Sequence, residues 1–208
     1  MPSKSYMRLS PEKKKKILDA AFQEFSVKNV EHASMGAIAK NAGISRTTLY
    51  YYFTDINDIF MLVMDTIMER FRESMNYGEG NPIDIFEGYY QFFKYVSSFK
   101  GTEYEGFVKT IFSEMNIKLQ NIITEPYINF FISNKSYVKD LDKLDYENRE
   151  ELLDILFALF SLITVSINYY YKSDIEFEII DHKFRRGLRL LRYGVVKEKY
   201  RKEELKNE

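Results

Sequence analysis

Residues 34–53 read SMGAIAKNAGISRTTLYYYF, and this stretch decides the fold of the amino-terminal part of the chain. Its first serine can cap a short helix by accepting a hydrogen bond from a free backbone N–H. Gly43 follows that helix, at a place where a left-handed residue commonly ends one. Ser45 can cap a second short helix, whose inward face carries Leu49 and Phe53 four residues apart. Two short helices around a tight turn predict a helix-turn-helix, which places its second helix in the major groove of DNA.

The outward face of the second helix is suited to nucleic acid. It carries hydroxyl groups and one guanidinium, and no carboxylate that would repel phosphate. Such groups hydrogen-bond phosphate oxygens and base edges, and an arginine can bind guanine through two hydrogen bonds. Taken alone, the stretch also fits an ordinary helix pair in an all-α core, because helix-turn-helix patterns are only moderately specific. The outward residues are Arg46, Thr47, Thr48, Tyr50 and Tyr51.

The flanking sequence predicts two more helices. Upstream, Ser10 and Pro11 can begin a helix whose apolar stripe runs from Ile17 to Phe25. Downstream, Asp55 can cap a long helix that is apolar on one side. The helix-turn-helix therefore completes a three-helix unit, and a fourth helix leads away from it.

Three segments of this region resemble the TetR family of bacterial transcription regulators, in the order and spacing of that family. They are ILDAAFQEF at 17–25, IAKNAGIS at 38–45 and TLYYYF at 48–53. The resemblance implies an all-α fold. Its amino-terminal three-helix DNA-binding domain, with the helix-turn-helix, would occupy residues 1–55, and a helical ligand-binding and dimerisation domain would occupy residues 56–208.

The resemblance also implies how such a protein works. A homodimer binds a palindromic operator in double-stranded DNA, because two recognition helices related by a two-fold axis contact half-sites about 34–36 Å apart. A small-molecule effector bound in the carboxy-terminal body changes that separation and releases the operator, which is the behaviour of a repressor. The residues that we expect at the DNA are Ser34, Ser45, Arg46, Thr47, Thr48, Tyr50, Tyr51 and Tyr52.

The charge of the chain is unevenly distributed. Residues 1–55 contain nine lysines and arginines against five acids, a net charge of +4, and the remaining residues contain 21 against 26, a net charge of −5. This asymmetry favours a basic end that faces a polyanion and a body with another role. The run Lys13–Lys16 is typical of a solvated helix start, or of a helix lying along phosphates, where each neutralised charge adds salt-dependent affinity.

The rest of the chain predicts helices throughout. Only nine glycines and four prolines leave few turns for an all-β design. Asn81 and Pro82 are expected to begin a helix over 83–99, as cap and first residue. Further helices are predicted over 104–123, 126–132, 148–171 and 175–199, with a polar connection over 134–150.

Composition argues against an enzyme and against a metal centre. The chain has no cysteine, which excludes disulfides and thiolate metal sites. Neither His32 nor His182 has a metal-ligand neighbour four residues on, and no phosphate-binding loop or nucleophile–base motif is present. We therefore expect no catalytic residues, no metal and no cofactor. The polar, basic amino terminus has no apolar segment of the signal-peptide kind, which predicts a cytoplasmic protein.

Residues 155–171, ILFALFSLITVSINYYY, form an uncharged run that is apolar on all sides of a helix. The run is at the short end of the roughly 20 residues that span a bilayer, and it contains several polar side chains. A helix buried on one side in its own domain and on the other against a second subunit is the favoured interpretation, so we expect no membrane partner. The last two helices would then form the dimer interface. The residues assigned to it are Leu156, Phe160, Ile163, Phe184, Leu188 and Leu191.

The effector is the least specified part of the sequence. Seventeen tyrosines and seventeen phenylalanines supply apolar walls with polar tips, which suit a lipophilic or aromatic guest. Aromatic residues at helical spacing are also what any α-helical core uses. The candidates for the pocket are Tyr89, Tyr90, Phe93, Phe107, Phe112, Tyr127, Phe131 and Phe157.

A second functional class remains open at this point. Gly36 and Ile56 stand where members of the family often have residues that reach DNA. These departures keep the alternative of a helical protein-interaction module that binds no operator.

Overall fold

A computed structural model describes residues 3–75, 81–113, 138–195 and residue 200. Within these residues the chain is almost entirely helical, which confirms the all-α prediction. The helices are α1 Lys4–Met7, α2 Pro11–Val27, α3 Met35–Asn41, α4 Arg46–Tyr52, α5 Ile56–Met75, α6 Ile85–Ser97, α7 Glu105–Ser113, α8 Arg149–Lys172 and α9 Phe177–Val195, and the short strands are β1 Ile83–Asp84 and β2 Val138–Lys139.

The chain divides into two compact units. The first contains Met1–Phe71 and Phe99–Met115, and the second contains Arg72–Ser98 and Asn116–Glu208. The first unit extends beyond the predicted 1–55 domain, because it includes most of α5 and all of α7, which packs against α2. Sequence periodicity alone did not assign α7 to the amino-terminal unit.

The core of the first unit is built from the apolar stripes that the sequence predicts. Phe25 of α2 and Phe60 of α5 are fully buried, with ring centroids 5.5 Å apart in an edge-on arrangement. Leu49 and Phe53, the inward residues of the recognition helix, are buried in the same unit. Burial of each such side chain contributes roughly 1.5–3 kcal/mol, so this core fixes how the two short helices cross.

Helix α7 packs closely against α2. The ring of Phe107 lies 5.2 Å from the ring of Phe22, and the Thr110 hydroxyl donates a 3.0 Å hydrogen bond to the Ser26 carbonyl. A Cβ at Gly106 would stand 3.2 Å from the Ser26 Cβ, so the absence of a side chain allows the two helices to approach here.

The second unit is a bundle of α6, α8 and α9. Phe93 of α6 stacks on Phe184 of α9 with ring centroids 4.0 Å apart, and both rings are fully buried. The Tyr171 hydroxyl of α8 donates a 2.7 Å hydrogen bond to the Val96 carbonyl of α6. An aromatic stack and a satisfied buried hydroxyl together specify one packing of the three helices.

The start of α6 differs from the prediction. The helix begins at Ile85, and its cap is Asp84, whose carboxylate accepts a 3.1 Å hydrogen bond from the Glu87 N–H. The residues before it are extended, because Ile83 and Asp84 pair in parallel with Val138 and Lys139. The predicted helix residues over 114–123 and 126–132 lie outside the described residues.

Among the described residues, α8 is the one helix long and apolar enough to cross a bilayer by length and composition. Its inward side chains, which include Leu156, Leu159 and Ile163, are buried among those of the same unit. Its Tyr171 hydroxyl bonds within that core. These contacts are those of the central helix of a soluble bundle.

Candidate nucleic-acid interface

Serine caps shape the helix-turn-helix as the sequence predicts. The Ser34 hydroxyl accepts a hydrogen bond from the Ala37 N–H at 3.4 Å, and the Ser45 hydroxyl accepts one from the Thr48 N–H at 3.0 Å. Gly43 between the helices has φ of +71°, a left-handed conformation that favours glycine. Local hydrogen bonds therefore set both the start of α4 and the turn that leads into it.

The outward face of α4 is open to solvent. Tyr51 is 68% exposed, and Arg46, Thr47 and Tyr50 are also exposed. The Arg46 guanidinium lies over the Tyr50 ring at 5.5 Å and donates a 3.4 Å hydrogen bond to its hydroxyl. This hydrogen bond, with the charge interaction between the two groups, raises the pKa of Arg46, so the guanidinium remains charged. The face presents a cation, a hydroxyl and phenol groups without a carboxylate.

Four of the predicted contact residues also have a structural role. The hydroxyls of Ser34 and Ser45 are engaged as helix caps, and the Thr48 hydroxyl lies 2.7 Å from that of Ser45. Tyr52 is half-buried, with its ring 6.4 Å from the ring of Tyr6. Their contact with DNA stays a prediction, and any such contact must coexist with these bonds.

A buried carboxylate that the sequence analysis missed supports this site. Glu24 of α2 is 5% exposed, and its Oε1 accepts a 2.9 Å hydrogen bond from the Ser34 N–H and a 3.0 Å hydrogen bond from the Lys28 Nζ. Because Ser34 is the cap of α3, Glu24 ties α2 to the start of the helix-turn-helix. An acid on the apolar side of α2, four residues before a lysine, is the signal that would have revealed it.

The aromatic residues predicted to line a ligand pocket are divided between the two units, and their place in a pocket stays a prediction. Phe107 and Phe112 are buried in the first unit, and Phe93 is enclosed in the aromatic stack of the second. The Tyr89 hydroxyl donates a 3.3 Å hydrogen bond to the Leu156 carbonyl, and burial raises the pKa of Tyr89.

Tyr90 lies at the surface of the second unit, where its hydroxyl donates a 3.0 Å hydrogen bond to Asp181 and the Arg185 guanidinium covers its ring. Phe157 is partly exposed on α8. Tyr127 and Phe131 lie outside the described residues. The aromatic pattern thus marks helix packing at most of the described positions.

A cavity of about 420 Å³ lies within the second unit, beside the strand pair and the start of α6. Two of the groups that line it, the Arg192 guanidinium and the Asp84 carboxylate, lie 3.5 Å apart. None of the aromatic candidates that the structure describes lines it, and its wall has charges of both signs. The lining residues are Met75, Asn81, Pro82, Ile83, Asp84, Glu87, Lys139, Asp140 and Arg192.

The residues assigned to a dimer interface lie mainly inside the second unit. Ile163 and Phe184 are 0% exposed, so neither has surface left to bury against a partner. Leu156, Phe160 and Leu188 are also buried, and Leu191 is half-buried. The inward half of an all-round apolar helix is thus covered by its own neighbours, and the assignment of these residues to a dimer interface stays a prediction. The apolar side chains that stay exposed on α8 and α9 are Phe157, Val165, Tyr169, Ile179 and Leu190.

No group of three or more histidine or acidic side chains within the described ranges is placed to hold a metal ion. His32 bonds locally, with its Nδ1 2.7 Å from the Asn29 Oδ1. His182 is exposed on α9.

Known proteins resemble this chain in both of its parts. The family model for bacterial regulatory proteins of the tetR family matches residues 17–62. The model for the tetracyclin repressor-like C-terminal domain matches residues 84–195, which is more than half of the chain. The HTH-type transcriptional regulator AcrR of Shigella flexneri is 43% identical over 49 residues, which are 24% of this chain and 23% of that protein.

Solved structures resemble the chain over most of its length. A TetR transcriptional regulator from Rhodococcus sp. RHA1 has a TM-score of 0.54 at 18% identity, covering 88% of this chain and 97% of its own. NalD, the secondary repressor of the MexAB-OprM multidrug efflux pump in Pseudomonas aeruginosa, has a TM-score of 0.53 at 20% identity, covering 89% and 98%. These likenesses concern the fold. With the two family models and the exposed recognition helix, they show that the chain belongs to the TetR family of DNA-binding transcription regulators.

Proposed function

We propose that this regulator represses transcription by binding a palindromic operator as a homodimer, and that a small-molecule effector releases it. The observation that carries the proposal is the outward face of α4, where Arg46, Thr47 and Tyr51 are exposed on a helix held by a serine cap. An α-helix fits the major groove of B-DNA, and arginine to guanine is the commonest specific contact there.

The exposed face of α8 and α9 supports dimerisation. Phe157, Val165 and Tyr169 recur at intervals of four or eight residues, so they lie along one side of α8. The Lys183 Nζ lies 5.0 Å from the Tyr169 ring, which places α9 beside this stripe. A contiguous apolar surface flanked by polar groups is typical of a protein interface.

Dimerisation has a direct test. Val165→Lys places a charge in the centre of the proposed face without disturbing the core, because Val165 is exposed. The unsubstituted chain should have the light-scattering mass of two chains at micromolar concentration, and Val165→Lys should shift it towards one chain. Val27→Lys is the matched control, since Val27 is exposed on α2 and lies outside the proposed face. A single-chain mass for the unsubstituted protein would refute the dimer.

We place the effector in the second unit. The cavity there is lined by Met75, the last residue of α5, and α5 begins at Ile56, a few residues after the recognition helix. A guest that shifts Met75 therefore acts on the helix that leads to the DNA-binding residues. The charged wall of this cavity suits a polar guest, whereas the sequence pattern favours a lipophilic or aromatic one, so effector screens need both classes.

Coupling between the effector and the operator is measurable in both directions. If an effector lowers the affinity for DNA by some factor, DNA lowers the affinity for that effector by the same factor, and typical couplings are about 1–3 kcal/mol. Calorimetric titration of an effector with and without operator DNA measures this factor. Equal effector affinity in the two titrations would contradict allosteric release.

Operator binding is tested with randomised DNA and with DNA from upstream of the gene. The chain should select an inverted repeat, and Arg46→Ala should relax selection at one base pair in each half-site, at a cost of about 1–3 kcal/mol per contact. Val27→Ala is a control on an exposed side chain of the same unit. Failure to select any DNA sequence would favour the alternative, a helical protein-interaction module. An unchanged selection by Arg46→Ala would refute its role alone.

A further inference from the structure

The amino-terminal residues hold the far end of the recognition helix. The Ser3 N–H donates a 2.9 Å hydrogen bond to the Tyr52 carbonyl, and the Ser3 hydroxyl donates a 3.1 Å hydrogen bond to the Tyr51 carbonyl. The last four carbonyls of any α-helix have no partner within the helix. Ser3 therefore supplies, from 48 residues away, two of the hydrogen bonds that the end of α4 lacks.

Helix α1 is anchored in this place by one aromatic side chain. Tyr6 is 4% exposed, and its ring centroid lies 4.9 Å from that of Phe53 and 6.4 Å from that of Tyr52. The Ser3 hydroxyl also accepts a 3.3 Å hydrogen bond from the Tyr6 N–H, so the same serine caps α1 and bonds α4. Burial of an aromatic side chain contributes roughly 1.5–3 kcal/mol. Together with the Ser3 hydrogen bonds it offsets part of the conformational entropy that ordering this short segment costs.

This anchoring places positive charge beside the recognition helix. Lys4 follows Ser3 directly and is exposed, and Arg8 is exposed at the end of α1. Helix α4 has seven residues and is about 10 Å long, and the major groove is only about 12 Å wide between its phosphate backbones. Residues beside the end of a helix that lies in the groove are therefore near its phosphate-lined wall.

We propose that α1 belongs to the DNA-binding surface, where it fixes the carboxy-terminal end of α4 through Ser3 and Tyr6 and places Lys4 on a backbone phosphate next to the bases that α4 contacts. This inference rests on the proposed operator binding. It adds a binding element outside the helix-turn-helix, with a duplex phosphate as its ligand. A phosphate contact carries no sequence information, so Lys4 contributes affinity and register rather than specificity.

The salt dependence of operator binding tests the phosphate contact. Each neutralised phosphate contributes about 0.9 to the slope of log K against log salt, so a dimer that loses two such contacts loses about 1.8. For Lys4→Gln, the drop in affinity between 50 and 200 mM salt should therefore be about 12-fold smaller than for the unsubstituted chain. Lys109→Gln is the matched control, because it removes one exposed positive charge from α7 of the same unit.

The clamp is tested by Tyr6→Ala beside Val27→Ala, whose side chain is exposed on α2 of the same unit. Tyr6→Ala should lower operator affinity at least tenfold and reduce the salt slope as Lys4→Gln does, because α1 holds Lys4 in place, and Val27→Ala should leave both unchanged. Circular dichroism verifies folding, and Ser3→Ala, which removes only the hydroxyl, serves if Tyr6→Ala does not fold.

A Lys4→Gln slope equal to that of Lys109→Gln would overturn the phosphate contact. Affinity unchanged by both Tyr6→Ala and Ser3→Ala would overturn the clamp. Both results presuppose that the unsubstituted chain binds an operator, which separates them from failure of the proposed function. Absence of all DNA binding by the unsubstituted chain would overturn both proposals together.

Discussion

Replacement of Glu24 by alanine should loosen the start of the helix-turn-helix. The Glu24 carboxylate accepts the Ser34 N–H at 2.9 Å and is almost entirely buried. A hydrogen bond to a charged group contributes about 1.5–3 kcal/mol. Water can replace part of it, because the Ser34 side chain is exposed. The ion pair with Lys28 adds little, since that lysine is 44% exposed. We therefore expect a loss of about 2 kcal/mol for Glu24→Ala.

Amide hydrogen exchange at Ser34 is the most direct measurement. A loss of about 2 kcal/mol corresponds to roughly 30-fold faster exchange of the Ser34 N–H, because each 1.4 kcal/mol is a factor of ten. Glu24→Gln keeps an oxygen acceptor at the same place and should lose about half as much, since a neutral hydrogen bond is weaker than a charge-assisted one.

Lys28→Ala distinguishes the contribution of the Lys28 ion pair from that of the Ser34 hydrogen bond. It removes the ion pair and leaves the Glu24–Ser34 hydrogen bond in place, so protection of the Ser34 N–H should persist. If Glu24→Ala leaves this exchange rate unchanged, or if Lys28→Ala raises it by the same factor, then the carboxylate does not hold the start of α3 as we infer.

Two further changes test the packing of each unit. Gly187→Ala should destabilise the α8–α9 contact by about 1–3 kcal/mol, because the added Cβ would stand 2.8 Å from the Leu162 Cδ1. Gly194→Ala is the control, because its added Cβ meets no atom within 4 Å, and it should be neutral or stabilising by up to about 1 kcal/mol. Urea midpoints compare the pair, and equal midpoints would contradict the close approach. Raising the pH from 10 to 12 should destabilise the first unit. Burial raises the pKa of Tyr6 from 10.0 to about 12, so in this range the unfolded chain releases a proton that the folded chain retains. Tyr6→Phe should weaken this loss, and an identical pH profile for Tyr6→Phe would show that Tyr6 is not its source.

The parts of the fold that depend on local bonds are those that the sequence predicts well. Ser10, Ser34 and Ser45 each cap a helix by accepting a hydrogen bond from the N–H three residues on. The Asp55 carboxylate accepts hydrogen bonds from the N–H groups of Asn57 and Asp58, the second and third residues of α5. Such bonds involve residues that are adjacent in the chain, so the residue types and their spacing are sufficient to place them.

Elements that depend on distant residues were not predicted. The start of α6 moves to Ile85 because the preceding residues pair with Val138 and Lys139, more than fifty positions away. Helix α1 has only four residues, and its order comes from contact between Tyr6 and Phe53. No periodicity in a window of ten or fifteen residues contains this information.

Apolar pattern also cannot separate an internal core from a subunit interface. Every side of α8 is apolar between Ile155 and Tyr171, so the pattern predicts burial without identifying the partner. The burial of each side chain shows which part of the helix its own unit covers. Ile163 faces the core of its own unit, whereas Val165, two residues on, is exposed and available to a second subunit.

Residues in and around α4 that look alike in the sequence differ in what their side chains contact in the structure. Ser34 and Ser45 accept backbone N–H groups as caps, and a hydroxyl that accepts in this way can still donate to an acceptor such as a phosphate oxygen, although the Ser45 hydroxyl also bonds that of Thr48 at 2.7 Å. Alanine at either position should therefore weaken binding to all DNA sequences alike, in proportion to the loss of helix stability, which is about 1 kcal/mol for a cap. We therefore expect discrimination between bases to depend on Arg46, Thr47 and Tyr51, which are exposed and whose functional groups take no part in capping the helix.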